Sequence, residues 1–97
     1  MMNGSNFDLI KLLAHNDVKK LEEAQVSYGD SWRSRGGVGA FMMLARKFDR
    51  IENQSKKNGY DIFKTIAEDP SNTGILDDIR DLRRYLLLVE GFMTNRK

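Results

Sequence analysis

Residues 74–93 read GILDDIRDLRRYLLLVEGFM, and this stretch decides the fold. Its apolar members Ile75, Ile79, Leu82, Tyr85, Leu86, Val89, Phe92 and Met93 mostly recur at intervals of three and four, the period of one helical face, with charges filling the positions between. A strand would alternate every second residue, and this stretch does not. Working outward, Pro70 and Asn72 lead into this helix, and a short helix from Asp61 to Ala67 is expected to bury Phe63 and Ile66. Gly59 marks a turn. Before it, a helix from about Val38 to Asn53 or Lys57 places Phe41, Leu44, Phe48 and Ile51 on one face. The first helix begins after Ser5 or Asn6 as a cap and carries Phe7, Leu9, Ile10, Leu12 and Leu13. Asn16 reads as a second cap before Val18, Leu21, Gln25 and Tyr28, so a break is expected near residues 15–17. Gly29 and Asp30 terminate that element. The stretch from Ser31 to Gly39, with Gly36, Gly37 and Gly39, reads as a flexible loop. One proline and no internal repeat complete the expectation of a single all-α domain over residues 1–97, a bundle of about four helices.

Composition narrows the chemistry. With 40% hydrophobic and 31% charged residues, the chain has too much apolar material for disorder and too many charges for a membrane protein. Its longest apolar run, Tyr85 to Val89, is far short of the roughly 20 residues of a transmembrane helix. Asp8 and Lys11 interrupt the N-terminal apolar residues, which argues against a secretory leader. A cytoplasmic protein is therefore expected, and the absence of cysteine agrees. A single histidine, His15, leaves metal chemistry to carboxylates. The net charge of +2 is not concentrated: residues 1–48 hold seven Lys/Arg and five Asp/Glu, and residues 49–97 hold nine of each. No basic block exists for a nucleic acid to bind.

Some acids occupy unexpected positions. At ~100° per residue, Glu52 falls within the stripe of Phe41, Ala45 and Phe48, with Asp49 at its edge, and Asp78 falls inside the apolar arc of the last helix. Burying an ionised carboxylate costs several kcal/mol unless a cation compensates it. Asp49 with Glu52 and Asp78 with Asp81 are both i, i+3 pairs that face one way from a helix, and oxygen ligands alone select Mg²⁺, Mn²⁺ or Ca²⁺ rather than zinc. The plainer alternatives are solvated pairs of Glu52 with Lys56 and Asp81 with Arg84, and a dipole preference of Asp77 and Asp78 for a helix N-terminus. Met42 and Met43 extend the apolar surface of their helix beyond one stripe, which points to a second chain packed against it, a dimer that completes the bundle.

These two acid pairs, separated by about 25 residues, resemble the metal-binding signature of MazG-like all-α nucleoside triphosphate pyrophosphohydrolases. Ser27-Tyr28-Gly29-Asp30-Ser31-Trp32, Lys47-x-x-Arg50-Ile51 and Asp77-x-x-x-Asp81-Leu82-x-x-Tyr85 are more narrowly similar to the nucleotide modification associated domain, itself similar to MazG. Asp49 and Asp78 stand where the pyrophosphohydrolases usually carry Glu, so each ligand arm is a methylene shorter. The resemblance implies a Mg²⁺- or Mn²⁺-dependent conversion of a nucleoside triphosphate to monophosphate and pyrophosphate. Metal would be held by Asp49, Glu52, Asp77, Asp78 and Asp81, with Glu52 and Asp78 catalytic. Lys47 and Arg50 are implied phosphate contacts, or else a solvated face. Tyr28 and Trp32 offer surfaces for a base, or else cap the core, and Arg33 beside the glycines would close over phosphates. The alternative function is a non-catalytic nucleotide-binding or regulatory helical protein, which the shortened arms favour.

Overall fold

The computed structural model describes residues 4–71 and 74–95. Among them are four α-helices and no strand: α1 (Gly4–Tyr28), α2 (Gly36–Ser55), α3 (Ile62–Glu68) and α4 (Gly74–Thr94), with 3-10 turns at Ser31–Arg33 and Lys56–Asn58. The expected all-α fold of about four helices is what forms. No helix of the described residues is long and apolar enough to cross a membrane. The chain divides into two compact units, residues 1–34 and 35–97.

In the first unit α1 runs without interruption. The break expected near residues 15–17 does not occur, because the weak helix propensities of Asn16 and Asp17 cost only tenths of a kcal/mol against an otherwise continuous hydrogen-bond ladder. Ser5 and Asn6, read as caps, lie inside α1. Gly29 does end the helix: its φ of 60° is left-handed, and its N–H donates to the Gln25 carbonyl at 2.9 Å. The Asp30 carboxylate then accepts from Gln25 Nε2 at 3.1 Å and from Arg33 at 2.9 Å, which helps order the turn that follows.

The second unit begins where a loop was expected to continue. Gly36 and Gly37 instead open α2, and Gly39 lies in its first turn, where an added Cβ would sit 2.7 Å from the Arg35 Cβ. A C-terminal lock follows α2. Gly59, with φ 64°, donates to the Lys56 carbonyl at 3.1 Å, and Tyr60 donates to the Ser55 carbonyl at 3.0 Å, the paired bonds of a Schellman motif. Asp61 caps α3 by accepting from the Lys64 N–H at 3.0 Å. Asn58 Nδ2 donates to the Thr65 hydroxyl at 3.0 Å, tying the turn to α3. Thr65 is the buried residue of α3; Ile66 is half-buried, and Phe63 is exposed, contrary to the expected burial. Asn72 lies outside the described residues.

Helix α2 packs chiefly on α4. The two are antiparallel, since Lys47 reaches Asp81 while Gln54, two turns later, reaches Asp78. The inward positions of α2 include Ala40, Met43, Leu44, Lys47, Ile51, Gln54 and Ser55; those of α4 include Ile75, Asp78, Ile79, Leu82 and Val89. Leu86, Phe92 and Met93, expected on the buried arc, are exposed. The expected placement of Glu52 in a buried stripe is also corrected. Phe41 and Phe48 are 65% and 57% exposed, and Glu52 is exposed with them. Helix α2 carries two apolar arcs, and the one that meets α4 brings the cations that the acids of α4 require.

Candidate functional site

Asp78 is the centre of the α2–α4 contact, with 2% of its surface accessible. Its Oδ1 accepts from Arg50 Nε at 2.8 Å and lies 3.7 Å from Lys47 Nζ. Its Oδ2 accepts from Gln54 Nε2 at 2.7 Å. Lys47 also reaches Asp81 at 3.2 Å, so one ammonium bridges the i, i+3 carboxylates of α4. Burial by itself pushes the Asp78 carboxyl up, but the hydrogen bonds from Arg50 and Gln54 and the charges of Arg50 and Lys47 outweigh it and hold the group below the ordinary carboxylate value. Asp78 is thus an ionised, compensated acid.

The remaining acids do not join it. Asp49 and Glu52 are exposed on α2, and Asp77 pairs with Arg80 of its own helix at 2.9 Å. Among the described residues no three His, Cys, Asp or Glu side chains gather where they would hold a metal ion. Within one chain, then, the donor set does not fit the Mg²⁺ or Mn²⁺ implied by the resemblance: the best-placed carboxylate already has two cations and an amide on its oxygens. Asp81 takes Lys47 as its partner, where the sequence offered Arg84.

Of the substrate contacts named from the sequence, Lys47 and Arg50 come together on Asp78, so they are neither idle nor merely solvated. Tyr28 is exposed, Trp32 half-buried, and Arg33 is paired with Asp30; all three belong to the first unit. Three residues escaped the sequence reading. Gln54 lies one helical turn beyond Arg50 and shares its face, a spacing that would have found it had an amide been sought as well as charges. Arg46 and Asn53 line an outer groove of about 520 Å³ on α2, together with Met42, Asp49 and Arg50. Compared with protein-family models, curated proteins and solved structures, the chain matches none.

Proposed function

We propose that the protein is a non-catalytic nucleotide-binding or regulatory helical protein, taking natural or modified nucleoside triphosphates as ligands. The observation that carries this reading is the state of Asp78. A carboxylate that must hold a metal or take a proton from water needs an oxygen open to them, whereas Asp78 is 2% exposed and its two oxygens accept from Arg50 and Gln54 beside Lys47. Releasing it would leave buried charge uncompensated, at a cost of several kcal/mol. The nucleotide as ligand rests on the resemblance of the Lys47-x-x-Arg50 and Asp77-x-x-x-Asp81 segments to the nucleotide modification associated domain.

A second reading is favoured by one observation. Phe41 and Phe48 form an uncovered apolar surface that carries Glu52 within it and Asp49 at its edge. A second copy packed there would complete a dimer and set its own Asp49 and Glu52 beside those of the first, the carboxylates of a Mg²⁺-dependent pyrophosphohydrolase with Glu52 among its ligands. The test is a panel of nucleoside triphosphates with Mg²⁺ or Mn²⁺, scored for binding and for pyrophosphate release. Binding without release supports the first reading. Release that disappears in Glu52→Gln establishes the second instead, and no binding by any nucleotide removes both.

A further inference from the structure

The outer face of α2 presents Met42, Arg46, Asp49, Arg50 and Asn53 at intervals of three and four, lining one groove. The two arginines differ in a useful way. Arg50 is fixed through its Nε by Asp78 at 2.8 Å, yet its side chain is 55% exposed. A guanidinium has five N–H donors, so the two terminal amino groups remain for a ligand while the group's position is already set. Arg46, one turn earlier, has no side-chain partner among the described residues, and neither has Asn53. Three sets of donors thus border a groove in which a single carboxylate, Asp49, competes. The nearby carboxylates Asp78 and Asp81 are paired with Arg50 and Lys47, so Arg46 is the cation of this face whose charge is not already matched among the described residues, while Arg50 adds donors.

We infer that Arg46, Arg50 and Asn53 form a metal-independent site for the polyphosphate of a small nucleotide. Planar guanidinium groups meet phosphate oxygens in paired hydrogen bonds and remain charged at all physiological pH values. In place of a divalent ion, Arg46 would supply the unmatched positive charge and Arg50 and Asn53 further N–H donors. Met42 supplies an apolar wall beside the phosphates, and Asp49 at the rim is an acceptor suited to a sugar hydroxyl. This inference rests on the nucleotide-binding reading and specifies where, and with what charge, the ligand is held.

The test is calorimetric titration of the full chain with inorganic tripolyphosphate and with dATP, both in EDTA, for the wild type, Arg46→Gln and Lys57→Gln. Lys57→Gln removes the same charge from an exposed position outside the groove. Both probes are expected to bind the wild type, with affinity falling about tenfold in Arg46→Gln, the scale of one lost charge-assisted contact, and changing less than about twofold in Lys57→Gln. Excess Mg²⁺ should not strengthen binding. Equal losses in the two variants, or a requirement for Mg²⁺, would overturn the site. Tighter binding of a single-stranded oligonucleotide than of either probe, lost in Arg46→Gln, would also overturn it by making the groove a nucleic-acid surface. If dATP binds and ignores Arg46→Gln, the site is wrong while the nucleotide reading stands; if neither probe binds, both fall.

Discussion

Replacing Asp78 by Asn separates a compensated structural acid from a catalytic one, because the change keeps the shape and removes the charge. Asp78 accepts through both oxygens, from Arg50 at 2.8 Å and from Gln54 at 2.7 Å. Asparagine has one oxygen and one amino group. If the oxygen stays with Arg50, the amino group faces the amino group of Gln54, and Gln54 must turn over to accept, losing its other bond to the Arg50 carbonyl at 3.0 Å. One charge-assisted bond becomes neutral, one neutral bond disappears, and the attraction to Lys47 and Arg50 is lost. With net values of about 1 kcal/mol for a neutral bond and about 1.5–3 for a charged one, the sum is about 2–3 kcal/mol. It stays below the roughly 3–5 kcal/mol of a fully buried broken pair because Arg50 is half exposed and can rehydrate. Urea unfolding followed by circular dichroism should show a midpoint lowered by about 2 M at unchanged slope, taking a slope of about 1–1.5 kcal/mol per M. Glu52→Gln, on an exposed side chain, should change stability by less than about 0.5 kcal/mol. Adding Arg50→Ala to Asp78→Asn should cost distinctly less than the two single changes combined. The reasoning is refuted if Asp78→Asn is as stable as the wild type, or if Glu52→Gln costs as much.

One further prediction concerns the same contacts and another the turn after α2. Since the folded Asp78 carboxyl titrates below its ordinary value, its stabilisation is fully present above the ordinary carboxylate range of about 4 and is lost as pH falls through the folded value; the gap in unfolding midpoint between wild type and Asp78→Asn should be constant near neutrality and close below about pH 4. Gly59→Ala, at φ 64°, should destabilise by about 1 kcal/mol in urea unfolding, because the Schellman lock after α2 needs a left-handed residue.

The helices were legible where the signal was local. Gly29 and Gly59 end their elements as glycine should, and the spacing of Ile75, Ile79, Leu82 and Val89 gave α4 its inward side. Asp78 stood out by its place in an apolar arc, and its burial agrees. What was not legible was which arc of α2 would meet that acid. The single face expected of Phe41, Leu44, Phe48 and Ile51 divides in the structure, with Leu44 and Ile51 half-buried on the α4 side and Phe41 and Phe48 exposed, and hydrophobicity alone could not foresee the division. The arc of Leu44 and Ile51 prevails because it includes Lys47, whose aliphatic stem can be buried while its ammonium reaches both acids of α4. A cation was rightly required by the buried charge; that it would come from the chain itself is a matter of tertiary register, which no spacing in the sequence encodes. The glycines at 36 and 39 misled for a different reason: Gly36 takes a left-handed φ of 72° and Gly39 has no room for a Cβ beside Arg35, so they shape the entry to α2 rather than a loop.

The most direct test of the central claim is the binding of a nucleoside triphosphate to the wild-type chain in EDTA and in Mg²⁺, with pyrophosphate measured in the same samples. The account predicts binding in EDTA, an affinity in Mg²⁺ no higher than in EDTA, and no pyrophosphate. Binding that appears only with Mg²⁺, accompanied by pyrophosphate release, would contradict it.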